Sequence, residues 1–286
     1  MRARGKISTA AALGALVVFG PAAPLAAGAQ FALPAVQSTS TSVSAEGDGT
    51  SATANCPQTT RLVSGGFSTS LVDSHGPVVV DASAAGRDTW QVAANEYGGG
   101  SDGVTAFANC ARGAPPEHVS EASASLDVGS PPTSATAQCP NTSEAIAGGF
   151  VTSYDGAARA GNVVFESRRV GSDSWRVSAV HAMNGGPTDL TAVAYCGHAP
   201  DLVTQAHTVQ IATGPTPVQS DATCAPGTNA VSGGFSSSVE VGQFTLMAFP
   251  AASSLRDAQT WSAQGVYPGL GGPFDFTAYA YCAPAR

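Results

Sequence analysis

Histidines and carboxylates are the side chains of this sequence that could do chemistry, and their spacing gives little support to a catalytic centre. The histidines are His75, His118, His181, His198 and His207. No two of them hold matching positions relative to the nearest cysteine, and none makes a metal-binding spacing such as His-x-Glu-x-x-His. We therefore predict no metal site, no cofactor and no catalytic residue.

A secreted hydrolase with a single active site between sequence units is the alternative that these residues leave open. Its candidate residues are His181, Glu166 and Asp155. Asp81 and Glu166 each stand nine residues before a tryptophan, so this count makes them equivalent, and a glycosidase-like carboxylate pair would be one use for them. A solvated strand face is the commoner role for such carboxylates, and we expect a protein that is not an enzyme.

Residues 1–29 have the features of a secretory signal peptide. A basic start is followed by an apolar stretch at 11–20 and by the small residues Ala27, Gly28 and Ala29 at the cleavage position. The apolar stretch is shorter than the roughly 20 residues that a membrane span needs. We predict a secreted, extracellular protein with no membrane insertion after signal cleavage, in which residues 30–37 form a leader.

The charge of the mature chain limits its partners. Signal cleavage removes three of the 12 basic residues and none of the 20 acidic ones, which leaves a net charge of −11. Such a chain repels phosphate backbones and anionic lipids. We expect no nucleic-acid partner, and a cell-surface glycan or an extracellular protein as the partner to consider.

All six cysteines and all three tryptophans fall into one pattern that occurs three times. Each copy has a cysteine, a Gly-Gly-Phe triplet, a tryptophan, and a Thr-Ala-x-Ala run before its last cysteine. Cysteines of an exported chain are typical of disulfides, and the repeat favours one pair within each copy. The predicted disulfides are Cys56–Cys110, Cys139–Cys196 and Cys224–Cys282, and the recurring tryptophans are Trp90, Trp175 and Trp261.

Each copy predicts an all-β unit, and the units span residues 38–114, 115–199 and 200–286. Short runs rich in Val, Thr, Phe and Tyr alternate with Gly, Pro, Ser and Asp, giving about six strands per unit. In the third unit the fourth strand is predicted at Phe244–Phe249. We expect three disulfide-stapled antiparallel β-sandwich-like repeats, and the alternative is one pseudo-threefold barrel or prism.

The last strand of each unit indicates how the core is built. Because side chains alternate across a strand, one face of this strand carries the cysteine, then two alanines and then a larger apolar residue. That face leaves room for one large ring, so we predict the three tryptophans as core residues beside the disulfides. The glycine pairs favour a β-bulge or a close backbone approach, with a ligand groove as the alternative; they are Gly65 and Gly66, Gly148 and Gly149, and Gly233 and Gly234.

The Gly-Gly-aromatic element after a cysteine resembles a repeat of uncharacterised secreted proteins of actinomycetes. The resemblance covers nearly all of the mature chain and implies a module rather than an activity. The third copy differs slightly, since Ala225 stands where the other copies have proline.

Variable loops are the segments in which we expect ligand binding. If the last four strands of each unit form a meander, the loop after Gly-Gly-Phe and the loop after the tryptophan strand share one end. Rigid strands that present variable loops are typical of binding proteins, and aromatic rings stack on sugars. We therefore predict a secreted non-catalytic binding or structural protein of the cell exterior, with carbohydrate contacts at Tyr97, Tyr154, Asn184 and Tyr267.

Overall fold

The regular secondary structure of the residues that the computed structural model describes consists of β-strands. These residues are 37–44, 50–70, 78–86, 88–96, 103–112, 118–127, 129, 131–153, 162–181, 187–198, 202–241, 245–267, 269 and 272–285. The first unit forms β1 (Gln37–Ser44), β2 (Thr50–Asn55), β3 (Arg61–Thr69), β4 (Val78–Ala85), β5 (Thr89–Glu96) and β6 (Gly103–Ala111). The second forms β7 (His118–Leu126), β8 (Thr133–Gln138), β9 (Glu144–Thr152), β10 (Asn162–Val170), β11 (Ser174–His181) and β12 (Thr188–Gly197).

The third unit contains two additional short strands. Its strands are β13 (Val203–Ile211), β14 (Gly214–Thr223), β15 (Thr228–Ser237), β16 (Val239–Val241), β17 (Thr245–Met247), β18 (Phe249–Asp257), β19 (Thr260–Tyr267) and β20 (Phe274–Pro284). The predicted fourth strand at Phe244–Phe249 is wrong, because half of that range is β17, which pairs with β16, and the strand equivalent to β4 and β10 is β18. The longer stretch before Trp261 accommodates this insertion.

Three six-stranded antiparallel sheets contain the main strands, and each sheet combines strands of two units. Sheet I has the order β1-β6-β3-β18-β19-β14, sheet II has β2-β5-β4-β9-β12-β7, and sheet III has β13-β20-β15-β10-β11-β8. The all-β, disulfide-stapled prediction is confirmed, and the sheets do not close into a barrel. The predicted meander is wrong, since the third and fourth strands of every unit lie in different sheets.

Each unit is itself a small two-layer sandwich whose layers continue into neighbouring units. Its first, sixth and third strands form one layer, and its second, fifth and fourth strands form the other. The third strand then pairs with the fourth strand of another unit over only two residue pairs, for example Ser167 with Phe235. The units therefore share their sheets, and Phe31–Arg286 forms one compact body.

The disulfides join different sheets. The pairs Cys56–Cys110, Cys139–Cys196 and Cys224–Cys282 have Cα–Cα distances of 5.6–5.7 Å, which confirms the predicted pairing. In each pair one cysteine directly follows the second strand and the other lies in the sixth strand. The two layers of each unit are thus covalently joined, and closing a loop of this length contributes about 4 kcal/mol in the chain-entropy model.

The three tryptophans fill the space between the layers, as predicted. Trp90, Trp175 and Trp261 are each 1% exposed. Every indole N–H donates a hydrogen bond of 3.0 Å to a buried serine hydroxyl on the neighbouring strand of the same unit. A buried indole N–H without a hydrogen-bond partner costs free energy, and these serines supply the partner.

The two glycines of each pair have different neighbours. A Cβ at Gly148 would lie closer than 3.0 Å to the ring of Trp175 in the same unit, whereas a Cβ at Gly149 would meet the carbonyl oxygen of Ser83 in another unit. The same division holds in the other two copies. The first glycine therefore makes room for the tryptophan and the second allows the sheet junction, which confirms the prediction of a close backbone approach.

The phenylalanines that follow the glycine pairs meet at the centre of the fold. Phe67, Phe150 and Phe235 contact one another edge to face, with ring centroids 6.0–6.4 Å apart. A cavity of about 20 Å³ among these rings, the glycines and the tryptophans has room for roughly one water molecule. It is too small for a sugar, so the glycines line no glycan groove.

The contacts between units are not fully symmetric. Tyr195 packs on Trp90 and Tyr281 packs on Trp175, with centroid distances of 5.8 and 5.7 Å. Asn109 holds the equivalent position before the last cysteine of the first unit and is fully buried. Its amide donates to Ser64 of the same unit at 3.0 Å instead, and the hydroxyl of Ser64 donates to the carbonyl of Val231 in the third unit at 2.7 Å. The third interface between units therefore has no aromatic pair at this position and is bridged by a polar contact through Ser64.

Candidate functional site

A continuous row of polar side chains crosses the outer face of sheet III. Directly opposed residues on all six strands form it: Ser134, Ser178, Glu166, Ser236, Thr277 and Thr208. Hydroxyl pairs join the strands at both ends of the row, with 2.8 Å between Ser134 and Ser178 and 2.8 Å between Thr208 and Thr277. Ser178 and Glu166 are only 3% and 7% exposed. The hydroxyls that the row presents to solvent are therefore those of Ser134, Ser236, Thr277 and Thr208, and each can both donate and accept a hydrogen bond.

A buried carboxylate with two arginines lies in the centre of this face. Glu166 accepts hydrogen bonds from Arg168 at 2.6 Å, from Ser178 at 2.5 Å, and from Arg176 at 2.6 and 3.1 Å. Burial alone would raise the pKa of Glu166, but the hydrogen bonds from Ser178 and the two guanidinium groups outweigh it and hold this pKa below its usual range. Glu166 is therefore ionised, and one carboxylate faces two cations.

The arginines keep hydrogen-bonding capacity toward solvent. The side chains of Arg168 and Arg176 are 25% and 34% exposed, against 9% for Glu166. Arg168 uses only its Nε on Glu166, and Arg176 uses Nε and Nη2. Within the described residues, the remaining Nη groups have no hydrogen-bond acceptor, so they can bind an anionic group from outside.

An aromatic ring from the third unit completes the site. The guanidinium carbon of Arg168 lies 5.4 Å from the ring centroid of Tyr279, a cation–π contact. Arg168 lies beside Gly234, where a Cβ would stand 3.1 Å from the Cα of Arg168. The hydroxyl of Tyr279 contacts Ser236 at 3.1 Å. The ring thus restricts the arginine, and the site depends on the junction between the second and third units.

The corresponding places on the other sheets lack this network. In the first unit, Ala82, Ala84 and Gln91 hold the positions of Glu166, Arg168 and Arg176. In the third unit, these positions are held by Ala252, Ser254 and Ser262. The fold is therefore built twice without these charges. The fold therefore does not need the charges of Glu166, Arg168 and Arg176. For this reason we take the outer face of sheet III as the candidate functional site.

The same registers correct the predicted equivalence of Asp81 and Glu166. A β-bulge places Asp81 between the pairs Val80–Ala94 and Ala82–Ala93, at the position that Phe165 holds in the second unit. The count back from tryptophan is wrong by one because the turn between the fourth and fifth strands differs in length. Asp81 and Glu166 therefore do not form corresponding members of a carboxylate pair.

The loop ends share one side of each unit, although the predicted meander from which this was expected is wrong. The backbone N–H of Ser70 donates to the carbonyl of Gly103 at 2.8 Å, and Ser153–Asp189 and Ser238–Asp275 make the same contact. A cavity of about 10 Å³ brings together the starts of β4, β10 and β18 at Val80, Val164 and Pro250. Gly-Gly-Phe is therefore the start of a longer motif in which a serine three residues later joins two strands.

The predicted ligand residues of the loops find no support in the described part of the chain. Tyr267 is 3% exposed, and its ring packs on Phe274 at 4.6 Å, so the expectation of a solvent-facing ring is corrected. The ring of Tyr267 is buried in the core because it packs against the bulky apolar side chain of Phe274. Tyr97, Tyr154 and Asn184 lie outside the described residues.

The two hydrolase candidates that the structure describes, His181 and Glu166, are not brought together. His181 is 4% exposed and its Nδ1 lies 2.7 Å from Asn162 Oδ1, to which the hydroxyl of Thr188 also donates at 3.0 Å. The Thr188 hydroxyl also lies 3.3 Å from His181 Nδ1, but Asn162, His181 and Thr188 are all buried, so this group does not line an open cleft. Glu166 lies on the outer face of sheet III, and Asp155 lies outside the described residues.

Sequence reasoning missed the two arginines and the tyrosine of the candidate site. A signal was present, because three of the 12 basic residues of the chain are Arg168, Arg169 and Arg176. Arg169 has another role: it is a buried partner of Glu144 at 2.7 Å. Only the pairing of β10 with β15 and of β15 with β20 shows that Tyr279 adjoins Arg168.

Asp81 leads to a prediction about pH. Burial raises the pKa of its carboxyl from 3.8 to about 7, although hydrogen bonds from Asn95 and Thr152 oppose this. The folded state therefore binds this proton more tightly than the unfolded state, and the associated stability is lost as pH rises from about 4 through 7. We expect Asp81→Asn to flatten the fall in unfolding free energy between pH 5 and 8, measured by urea unfolding. Parallel pH profiles for the variant and the wild type would contradict this.

Comparisons with known proteins identify no relative. No model of a protein family matches the chain, and a search of curated proteins finds no significant match. Among the described residues, no helix is long and apolar enough to cross a membrane. The three disulfides indicate an oxidising environment such as the extracellular space.

Proposed function

We propose that this protein is secreted and binds glycans at the cell exterior without catalysing a reaction. The observation that carries the proposal is the polar row across all six strands of sheet III, interrupted by no apolar residue. Glycans present hydroxyls along an extended chain, and a strip of hydroxyls and charged groups can exchange hydrogen bonds with them.

The rigidity of the scaffold supports this proposal. The row lies on paired strands, a disulfide joins the layers of each unit, and the core residues Trp175 and Phe235 are 1% exposed. Preorganised groups lose little conformational entropy on binding. This placement differs from the loop ends predicted from the sequence, because the one predicted ring that the structure describes is buried.

Matched hydroxyl deletions test the proposal. We expect the mature protein to bind at least one polysaccharide of a chemically diverse panel in affinity electrophoresis. Thr208→Val with Thr277→Val should weaken binding about tenfold, the effect of losing one to two hydrogen bonds. The pair Ser42 and Thr105 makes the same 2.8 Å contact on sheet I, so Ser42→Ala with Thr105→Val is the control and should bind normally.

The results distinguish two claims, that sheet III is the binding face and that the protein binds glycans at all. Equal loss in the two double variants would show that sheet III is not the binding face. Retention of no polysaccharide by the wild-type protein would contradict the proposed function. Replacing both partners of an exposed hydroxyl pair by groups of similar shape is nearly neutral for stability, so both variants should keep the wild-type unfolding midpoint.

A further inference from the structure

We propose that the glycan bound by sheet III is acidic, and that its carboxylate groups bind to Arg168 and Arg176. This inference rests on the proposed function and adds the chemical class of the ligand. Two guanidinium groups share one carboxylate at this site, so the site carries an excess positive charge in a mature chain whose net charge is −11.

The guanidinium groups are held in place before any ligand arrives. Arg176 binds both oxygens of Glu166 through Nε and Nη2. Arg168 is held at its Nε by the same carboxylate and at its planar face by Tyr279. A planar guanidinium with free Nη groups can donate two parallel hydrogen bonds to an external carboxylate. Glu166 therefore acts as a positioning residue for both arginines.

The surroundings of the arginines favour a glycan over a peptide. Both sides of the charged centre carry hydroxyls, at Ser134 on one side and at Thr277 on the other. Arg168 and Arg176 lie on β10 and β11, which are interior strands with a neighbour on each side. Their backbone groups are committed to those neighbours, so a peptide cannot add to the sheet here as an extra strand.

The total charge favours spaced carboxylates over a dense polyanion. A net charge of −11 repels a phosphate or sulfate polymer at long range, whereas a contact within a few ångströms is dominated by the local cations. A polyuronate carries a single carboxylate on each sugar, with hydroxyls between, and this matches a charged centre flanked by hydroxyls. We therefore assign glycans containing uronic acids to this face.

A pair of polymers that differ only in charge tests this inference with the wild-type protein. The probes are polygalacturonate and its fully methyl-esterified form, which has the same sugar chain without the negative charges. We expect the acid to bind at least tenfold more tightly than the ester, with an affinity that falls as salt rises. Equal binding of the acid and the ester would overturn the inference and leave the proposed function intact.

Variants locate the binding groups. Glu166→Gln combined with Arg168→Gln and Arg176→Gln removes the three charges together, because removing the arginines alone would leave a buried carboxylate unpaired. This variant should bind the acid and the ester alike. Arg256 pairs with Asp221 on sheet I with a side chain that is 56% exposed, so Arg256→Gln is the matched control and should keep the preference for the acid.

The remaining outcomes are also decisive. An unchanged preference for the acid in the triple variant would place the acidic ligand elsewhere and overturn the inference. Polyglutamate that binds as tightly as polygalacturonate would show that the face recognises carboxylates without a sugar, which also overturns it. If neither the two polymers nor any polysaccharide of the wider panel binds, the proposed function itself fails.

Discussion

Replacing Gly149 by alanine should destabilise the whole protein, not only the second unit. A Cβ at this position would lie closer than 3.0 Å to the carbonyl oxygen of Ser83 and would crowd the Cα of Ala84. Both are backbone atoms of another unit, so no flexible side chain can move aside. The junction between β4 and β9 consists of two residue pairs, and separating them disrupts sheet II.

Secreted yield and far-UV circular dichroism measure this effect. Overpacking a core commonly costs about 1–3 kcal/mol, and we expect at least the upper end because backbone meets backbone. Gly129→Ala is the control, since a Cβ there has nothing within 4 Å and the residue has a φ of +69°. Its left-handed backbone should cost only about 1–2 kcal/mol. Equal stability of the two variants would contradict the assigned role of Gly149.

Replacing Phe150 by alanine should destabilise all three units together. Its ring is 1% exposed and contacts Phe67 and Phe235 of the other units at 6.2 and 6.4 Å. Removing a buried phenylalanine typically costs about 3–5 kcal/mol. Because every sheet contains strands of two units, we expect one unfolding transition before and after the substitution, shifted to lower urea concentration.

Tryptophan fluorescence and far-UV circular dichroism in the same urea titration test this prediction. Each unit has one buried tryptophan, so fluorescence reports on all three, and both signals should give the same midpoint. Val119→Ala is the control, since Val119 is 59% exposed and its loss should change stability by less than about 0.5 kcal/mol. Two separate transitions in the Phe150 variant would mean that the units unfold independently.

Patterns within one unit were sufficient to predict much of this structure. The alternation of cysteine and alanine on the last strand predicted a face with room for one ring, and Trp90, Trp175 and Trp261 occupy it. The spacing of the cysteines predicted their pairing. These inferences succeeded because side-chain alternation along a strand and a disulfide within one repeat depend on residues that are near in sequence and equivalent in every copy.

The candidate site could not be predicted in the same way, because its residues come from two units. Arg168 and Tyr279 are far apart in the sequence, and they meet only where β10 pairs with β15. Tyr267 also shows the limit of composition, since a tyrosine beside a glycine-rich loop is a reasonable ligand residue until Phe274 draws its ring into the core. Local sequence does not report which surface a distant strand will cover.

The sequence by itself thus determined an all-β chain of three disulfide-stapled units with tryptophan cores, because those properties follow from strand periodicity and from cysteine spacing. Only the tertiary structure decided that the units share their sheets and that Arg168 and Arg176 lie together on the outer face of sheet III. The physical reason is the second glycine of each pair, which lets the backbones of two units approach closely enough to pair. The sequence shows this glycine but does not show which distant strand it will contact.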